Sequence, residues 1–307
     1  MTVNHHVTRR GWILFAAMGV IWGIPYLLIK VAVGELSPAS LVFLRTATAA
    51  VILLPLAAAR GNLRPLLPHW RALLMYTGIE IAIPWFLLSE AEIHLSSSLT
   101  GLLVATVPLI GALLARATGA ADRMAPRAVA GLMVGFAGVA ALVGLDFSRS
   151  DLGAFGEMAV ITVCYAVGPM IIARKLAAVP AAGVVAVSLV VTAAVYAPIG
   201  ILQLPGSLVS ANVIAAVATL AIVCTALAFL VFFALIAEVG PVRATIITYV
   251  NPAVALLLGV LLLHERLTMG AGAGFVLILL GSFLATRRAA PRTTVRSHDT
   301  VWASSET

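Results

Sequence analysis

The segment Met75 to Leu88, MYTGIEIAIPWFLL, carries one carboxylate, Glu80, among apolar, aromatic and small residues. Three further charges interrupt apolar runs in the same way: Lys30, Arg45 and Glu157. An ionisable group inside a membrane span is costly and marks a functional site by default. Glu80 is the tenth residue of a run of about nineteen, which puts it near the bilayer centre. There it must face other helices rather than lipid. Tyr76 and Thr77 lie one turn before it and Pro84 one turn after. Burial disfavours the charged form of a carboxylate, so Glu80 suits proton binding and release, or binding of a substrate ammonium. The plainer alternative is a neutral, hydrogen-bonded structural acid. Arg45 sits about 7–8 Å inside the end of its span at 1.5 Å per residue. It keeps its proton and needs an acid, a carbonyl or an anionic substrate, unless it snorkels to the headgroups. Lys30, about three residues from a span end, snorkels easily. Glu157, about four residues into its own span, could pair with Arg45 or Lys30 or lie in interfacial water.

These residues need helices to hold them. The chain has 307 residues, 62% hydrophobic and 10% charged, against about 25% charged in soluble domains. It cannot cover a soluble surface, and the lipid bilayer is its expected partner. Apolar runs punctuated by Pro, Gly and Arg predict ten membrane helices, an all-α integral membrane protein: 12–33, 40–59, 71–89, 97–116, 127–145, 153–173, 182–202, 212–236, 243–263 and 271–286. With the N-terminus in the cytoplasm, 15 of the 19 Lys and Arg residues fall on that side, Arg149 and Arg266 fall outside, and Lys30 and Arg45 lie within helices. The positive-inside rule therefore predicts both termini cytoplasmic in a multi-pass cell-membrane protein. The other loops carry acids: Glu35, Glu90, Glu92, Asp146, Asp151 and Glu265. The net charge of +7 is thus a topology signal, and no nucleic-acid partner is expected.

The two halves align at a shift of 143–144 residues: Trp22 with Tyr165, Pro25 with Pro169, Pro55 with Pro198, Pro108 with Pro252, Gly131 and Gly138 with Gly274 and Gly281, and Asp122-Arg123 with Glu265-Arg266. Five helices per half is odd, so the second unit enters the membrane from the opposite side. Such inverted repeats are an architecture of secondary transporters, which rock around a midplane site. The expected organisation is a tail at 1–11, repeat units at 12–145 and 153–286, and a polar, disordered tail at 287–307. Pro25, Pro84, Pro108, Pro169 and Pro252 are expected helix breaks. Trp22 and Tyr165, mid-helix and repeat-related, are expected to line a cavity. Tyr249, Tyr26 and Trp85 either line that cavity or anchor helix ends at the interface, and Thr245, Thr248 and Asn251, ahead of Pro252, form a polar stripe that either meets substrate or bonds a neighbouring helix. The glycines at 131, 135, 138, 274 and 281 suit close helix packing.

Residues WGIPYLLIK (Trp22 to Lys30), LVFLRTATAA (Leu41 to Ala50), EVGPVRATIITYVNPAVALLLGVLLLHERLT (Glu238 to Thr268) and GFVLILLGSFLA (Gly274 to Ala285) resemble the drug/metabolite transporter superfamily, its EamA-like branch. RATGAADRMA stands where that family has a hydrophobic run ending in Glu-Arg. The resemblance implies ten helices, alternating access and a central cavity lined by both halves. The resulting expectation is a secondary transporter, an exporter of small metabolites such as amino acids or of drug-like solutes, coupled to protons or to exchange. A membrane enzyme, a lipid-handling protein and a non-transporting sensor or scaffold are the alternatives. The chain has no GxxxxGK[ST], HExxH or GxSxG motif, so no catalytic residue, metal site or cofactor is expected. Cys164 and Cys224 sit in apolar runs and read as small core residues.

Overall fold

In a bilayer every backbone N–H and C=O must find its partner within the protein, which leaves helices as the economical solution for this composition. The computed structural model describes residues 8–118, 126–146, 151–240, 244–266 and 268–286. The Asp122-Arg123 pair, Arg149, Arg243 and the polar tail from 287 lie outside the described residues, as does nearly all of the N-terminal tail. Ten apolar helices follow in order: α1 (Arg9–Ala32), α2 (Pro38–Ala59), α3 (Arg64–His94), α4 (Ser97–Ala117), α5 (Pro126–Asp146), α6 (Leu152–Lys175), α7 (Ala181–Leu202), α8 (Ala211–Val239), α9 (Asn251–Leu262, entered through a 3-10 turn, Thr245–Tyr249) and α10 (Met269–Thr286). No strand occurs among the described residues.

The helices meet in a two-fold pattern. α5 packs on α10, α2 on α7 and α4 on α9, each on its own counterpart five helices away. α3 packs on α6 and α1 on α8, which is the same relation with the halves exchanged. The α5–α10 contact depends on glycine. A Cβ on Gly131 would stand 2.7 Å from the Gly281 carbonyl oxygen, and one on Gly138 would stand 2.9 Å from the Gly274 carbonyl oxygen. Small residues let the two backbones touch, as the spacing predicts.

Three of the five expected breaks occur at their prolines. α1 opens at Trp22–Ile24 ahead of Pro25, α4 opens at Ala105–Thr106 ahead of Pro108, and α9 begins beyond its 3-10 turn with Pro252 in its first turn. Pro84 departs from expectation: α3 continues through it as a helix, widened just before it by a π-helical turn, Thr77–Ala82, and a matching π turn, Ile222–Leu227, forms in α8 with no proline in that helix. Pro169 departs from expectation: α6 runs unbroken from Leu152 to Lys175 with Pro169 inside it. Proline removes one N–H, and neighbouring helices tolerate that loss in a membrane bundle.

Helix α3 is also longer than the sequence reading, which ended it at residue 89. It continues to His94, so Glu92 is no loop acid: it is fully buried. The apolar packing divides along the length of the helices. Toward the ends that carry Glu35, Glu92 and Glu265, called the acidic face below, one continuous core draws buried residues from eight helices. It includes Ile29, Leu41, Leu88, Leu102, Ile161, Leu220, Ala255 and Ile278. Toward the opposite, basic face the core separates into three clusters: one around α2, α3 and α7, one around α1, α8 and the start of α9, and one around α4, α5 and α10.

Candidate functional site

The two π turns face the bundle centre from opposite units. Each widened turn shifts the helical register by one residue, a device that recurs at functional sites. In α8 it turns Thr225 Oγ1 toward the Leu220 carbonyl oxygen, to which it donates at 2.7 Å. The same hydroxyl oxygen accepts from Arg45 Nε at 3.0 Å. The Arg45 guanidinium carbon lies 3.7 Å from the centroid of the Trp85 ring. Arg45 is buried, so it does not snorkel. It spans α2, α8 and α3, stacked on one ring and bonded to one hydroxyl. Cys224, Tyr165, Tyr26 and Glu92 lie within electrostatic reach of it.

Glu80 occupies the other π turn. The residue is half-buried, yet its Oε2 is enclosed and without a hydrogen-bond partner. That oxygen lies against Gly168 of α6, where a Cβ would collide with it. Tyr76, buried one turn earlier, and Cys164 and Tyr165 on α6 are its electrostatic neighbours. Thr77, beside it, donates to Leu73 O at 2.9 Å, and its hydroxyl oxygen lies in hydrogen-bond contact with the Ser188 hydroxyl of α7 at 2.7 Å. Thus Glu80, Arg45, Tyr165 and Tyr76 gather where α2, α3, α6 and α8 meet, with elements of both halves on every side.

The remaining candidates lie elsewhere. Trp22, at the α1 break, packs on Phe232 and Phe229 of α8 with centroids 4.7 and 6.0 Å away. Lys30 donates to the carbonyl oxygens of Glu92 at 2.6 Å and Leu95 at 2.8 Å, closing the C-terminal end of α3. Glu157 does not pair with Arg45 or Lys30, because both cations are engaged as described; its Oε2 is enclosed without a partner, near Glu90 and His94. Tyr249 Oη donates to Ser282 O at 3.4 Å. The Asn251 amide, turned with its nitrogen toward them, donates to Gly19 O at 3.1 Å and Ile247 O at 3.0 Å, tying α9 to α1. Thr248 is exposed.

Sequence reasoning passed over three residues of the centre and its rim: Thr225, Gly168 and Glu92. Glu92 could have been found, since Trp85, Ser89 and Glu92 repeat at helical spacing and all three are buried. Thr225 and Gly168 carry no such signal, because each matters only through the side chain opposite it.

Two carboxylates also close helix ends across the halves. Glu265, just after α9, accepts from Ser97 N at 2.8 Å and Ser98 N at 2.9 Å, at the start of α4. Glu35, between α1 and α2, accepts from Ser210 N at 2.7 Å, at the start of α8. The Ser210 hydroxyl, and then its N–H, hold the exposed Glu35 carboxyl below the usual glutamate range. Each acid meets the positive end of a helix from the other unit.

The EamA-like transporter family matches residues 9–144 and again residues 155–287, one copy for each set of five helices. This chain belongs to that family. Among similar proteins, the "Uncharacterized inner membrane transporter YedA" of Escherichia coli strain K12 is 30% identical over 289 residues, covering 87% of this chain and 90% of that protein. An "Uncharacterized transporter" of Archaeoglobus fulgidus is 24% identical over 284 residues, covering 90% and 99%. A solved crystal structure at 23% identity superposes with a TM-score of 0.65 over 90% of this chain and 96% of that one, which supports the fold. The EamA assignment makes this a multi-pass membrane protein of a transporter family with ten helices as two inverted five-helix repeats.

Proposed function

We propose that the chain is a secondary active transporter, an exporter of small metabolites such as amino acids or of drug-like solutes, working by alternating access between its two five-helix units with both termini in the cytoplasm. The units are taken as residues 12–145 and 153–286. The observation that carries the reading is Glu80: a carboxylate at mid-membrane, half-open, seated on a glycine of the opposite unit, with one oxygen enclosed and unpartnered. A group in that position gains or loses a proton, or an ammonium-bearing solute, whenever the two units move apart. Arg45, held by Trp85 and Thr225, supplies the fixed positive charge of the same centre. The continuous core at the acidic face and the divided core at the basic face fit a state shut toward the outside.

Coupling is tested in proteoliposomes by solute flux against an imposed pH gradient, with a panel of amino acids and cationic drugs. Wild-type protein should move at least one of them faster when the gradient is present. Glu80→Gln should lose the pH dependence while retaining solute exchange. Equal pH dependence in the two proteins would remove Glu80 from coupling.

A further inference from the structure

Glu92 lies twelve residues beyond Glu80 on α3, about 18 Å farther along the helix at 1.5 Å per residue. It is fully buried, and both carboxylate oxygens lack a hydrogen-bond partner. Its surroundings are the tight acidic-face core, where Leu88, Ala91 and Leu95 of its own strand of side chains meet Ile29, Leu102 and Met158. A structural acid in such a place would be expected to have donors.

The charged and titratable groups facing Glu92 come from several elements. Lys30 and Tyr26 approach from α1, Arg45 from α2, and Glu265 from the segment after α9. None satisfies it. The Lys30 ammonium is directed to the carbonyl oxygens of Glu92 and Leu95. Arg45 Nε is directed to Thr225, and Glu265 is engaged with Ser97 N and Ser98 N. On α3 itself, Glu90 and His94 are coupled to Glu157. An ionised carboxylate left without donors inside an apolar core is its costlier form. If the core parts, water reaches both oxygens and that cost vanishes.

We propose that Glu92 is a second proton-binding site, belonging to the gate at the acidic face: the gate shuts on the protonated acid and opens with proton release to that side. The inference rests on the alternating-access reading, and it assigns to one helix two acids in series, Glu80 at the centre and Glu92 at the rim. In chemical terms the ligand is a proton exchanged with water, and no bond other than O–H is made or broken.

Ser97, fully buried in the shut core, provides a reporter. The Ser97→Cys protein is placed in nanodiscs of phosphatidylethanolamine and phosphatidylglycerol, which leave both faces open to reagent. It is treated with a hydrophilic maleimide, and modification of that peptide is read by mass spectrometry. Rates are divided by those of Leu208→Cys, an exposed position, to remove the pH dependence of thiol chemistry. The normalised rate should rise with pH, by up to about tenfold per unit, the ceiling for one proton. Adding Glu92→Gln should flatten the profile, and adding Glu92→Asp should keep a slope. If Ser97→Cys labels with the same slope in the Glu92→Gln background, or with no slope in either, Glu92 is not the gate's proton site. If it never labels while Leu208→Cys does, the acidic face does not open, and both this proposal and the alternating-access reading fall.

Discussion

Oε2 of Glu80 fills the place a side chain on Gly168 would take, so this carboxylate of α3 meets the opposite unit at a residue with no side chain. The contact joins α3 to α6, one of the two pairings in which the halves exchange partners. Any rocking of the units must change it.

Gly168→Ala should therefore act on Glu80 specifically. The added methyl would overlap the carboxylate, and overpacking of this kind is destabilising by about 1–3 kcal/mol. Shortening the acid relieves it: Gly168→Ala combined with Glu80→Ala should be more stable than the sum of the single changes predicts, by about 0.5 kcal/mol or more. Thermal unfolding of the four proteins in one detergent measures the coupling. Strict additivity would mean that the carboxylate and the glycine do not meet in the folded protein.

Arg45 should behave as one unit with Trp85 and Thr225. Thr225→Val leaves the Nε donor without its acceptor, at a cost of about 1–3 kcal/mol. Trp85→Leu removes a desolvated cation–π contact worth about 2 kcal/mol. Because both changes act on the same guanidinium, their combination should deviate from additivity. Arg45→Lys should not restore the loss, since a compact ammonium cannot stack and donate as the planar group does. Unfolding of the single and double variants checks both statements.

Glu265 should contribute stability through α4. Glu265→Ala strips the acceptor from two first-turn N–H groups, an effect of about 1 kcal/mol for a lost N-terminal cap. Glu265→Gln retains one accepting oxygen and should lose less. A common melting temperature for all three proteins would rule the cap out as a stabilising contact.

The spans, their number and the repeat were legible because a bilayer imposes length, apolarity and charge placement on the sequence itself. Breaks at Pro25, Pro108 and Pro252 were legible too, since proline acts locally, whereas α3 continues through Pro84. Pro169 misled for the complementary reason: whether a lost N–H breaks a helix depends on the neighbours, and here α6 continues. Glu92 was hidden by a hydropathy boundary drawn at Ser89-Glu90, although helical spacing from Trp85 continues through it. The partners of Lys30 and Arg45 could not be read at all. A carbonyl at a helix end and the face of a ring are supplied by α3, and a hydroxyl turned by a π bulge by α8; no spacing along the chain encodes them.

Glu35 offers a pH signature from outside the membrane. Its hydrogen bonds from Ser210 favour the ionised carboxylate, so its folded-state pKa lies below the unfolded value. For a depressed acid the stabilisation is fully present above the unfolded pKa, about 4.3 for glutamate. It is lost as pH falls through the folded pKa. The melting temperature of wild-type protein should therefore exceed that of Glu35→Gln by a constant gap at neutral pH. The gap should narrow below the ordinary glutamate range and close in stronger acid. Because Glu35 is exposed, added salt should reduce the gap at every pH. Ser210→Ala should shrink it, leaving the backbone N–H as the remaining donor. A gap that persists unchanged down to acid unfolding would show that ionised Glu35 does not hold the start of α8.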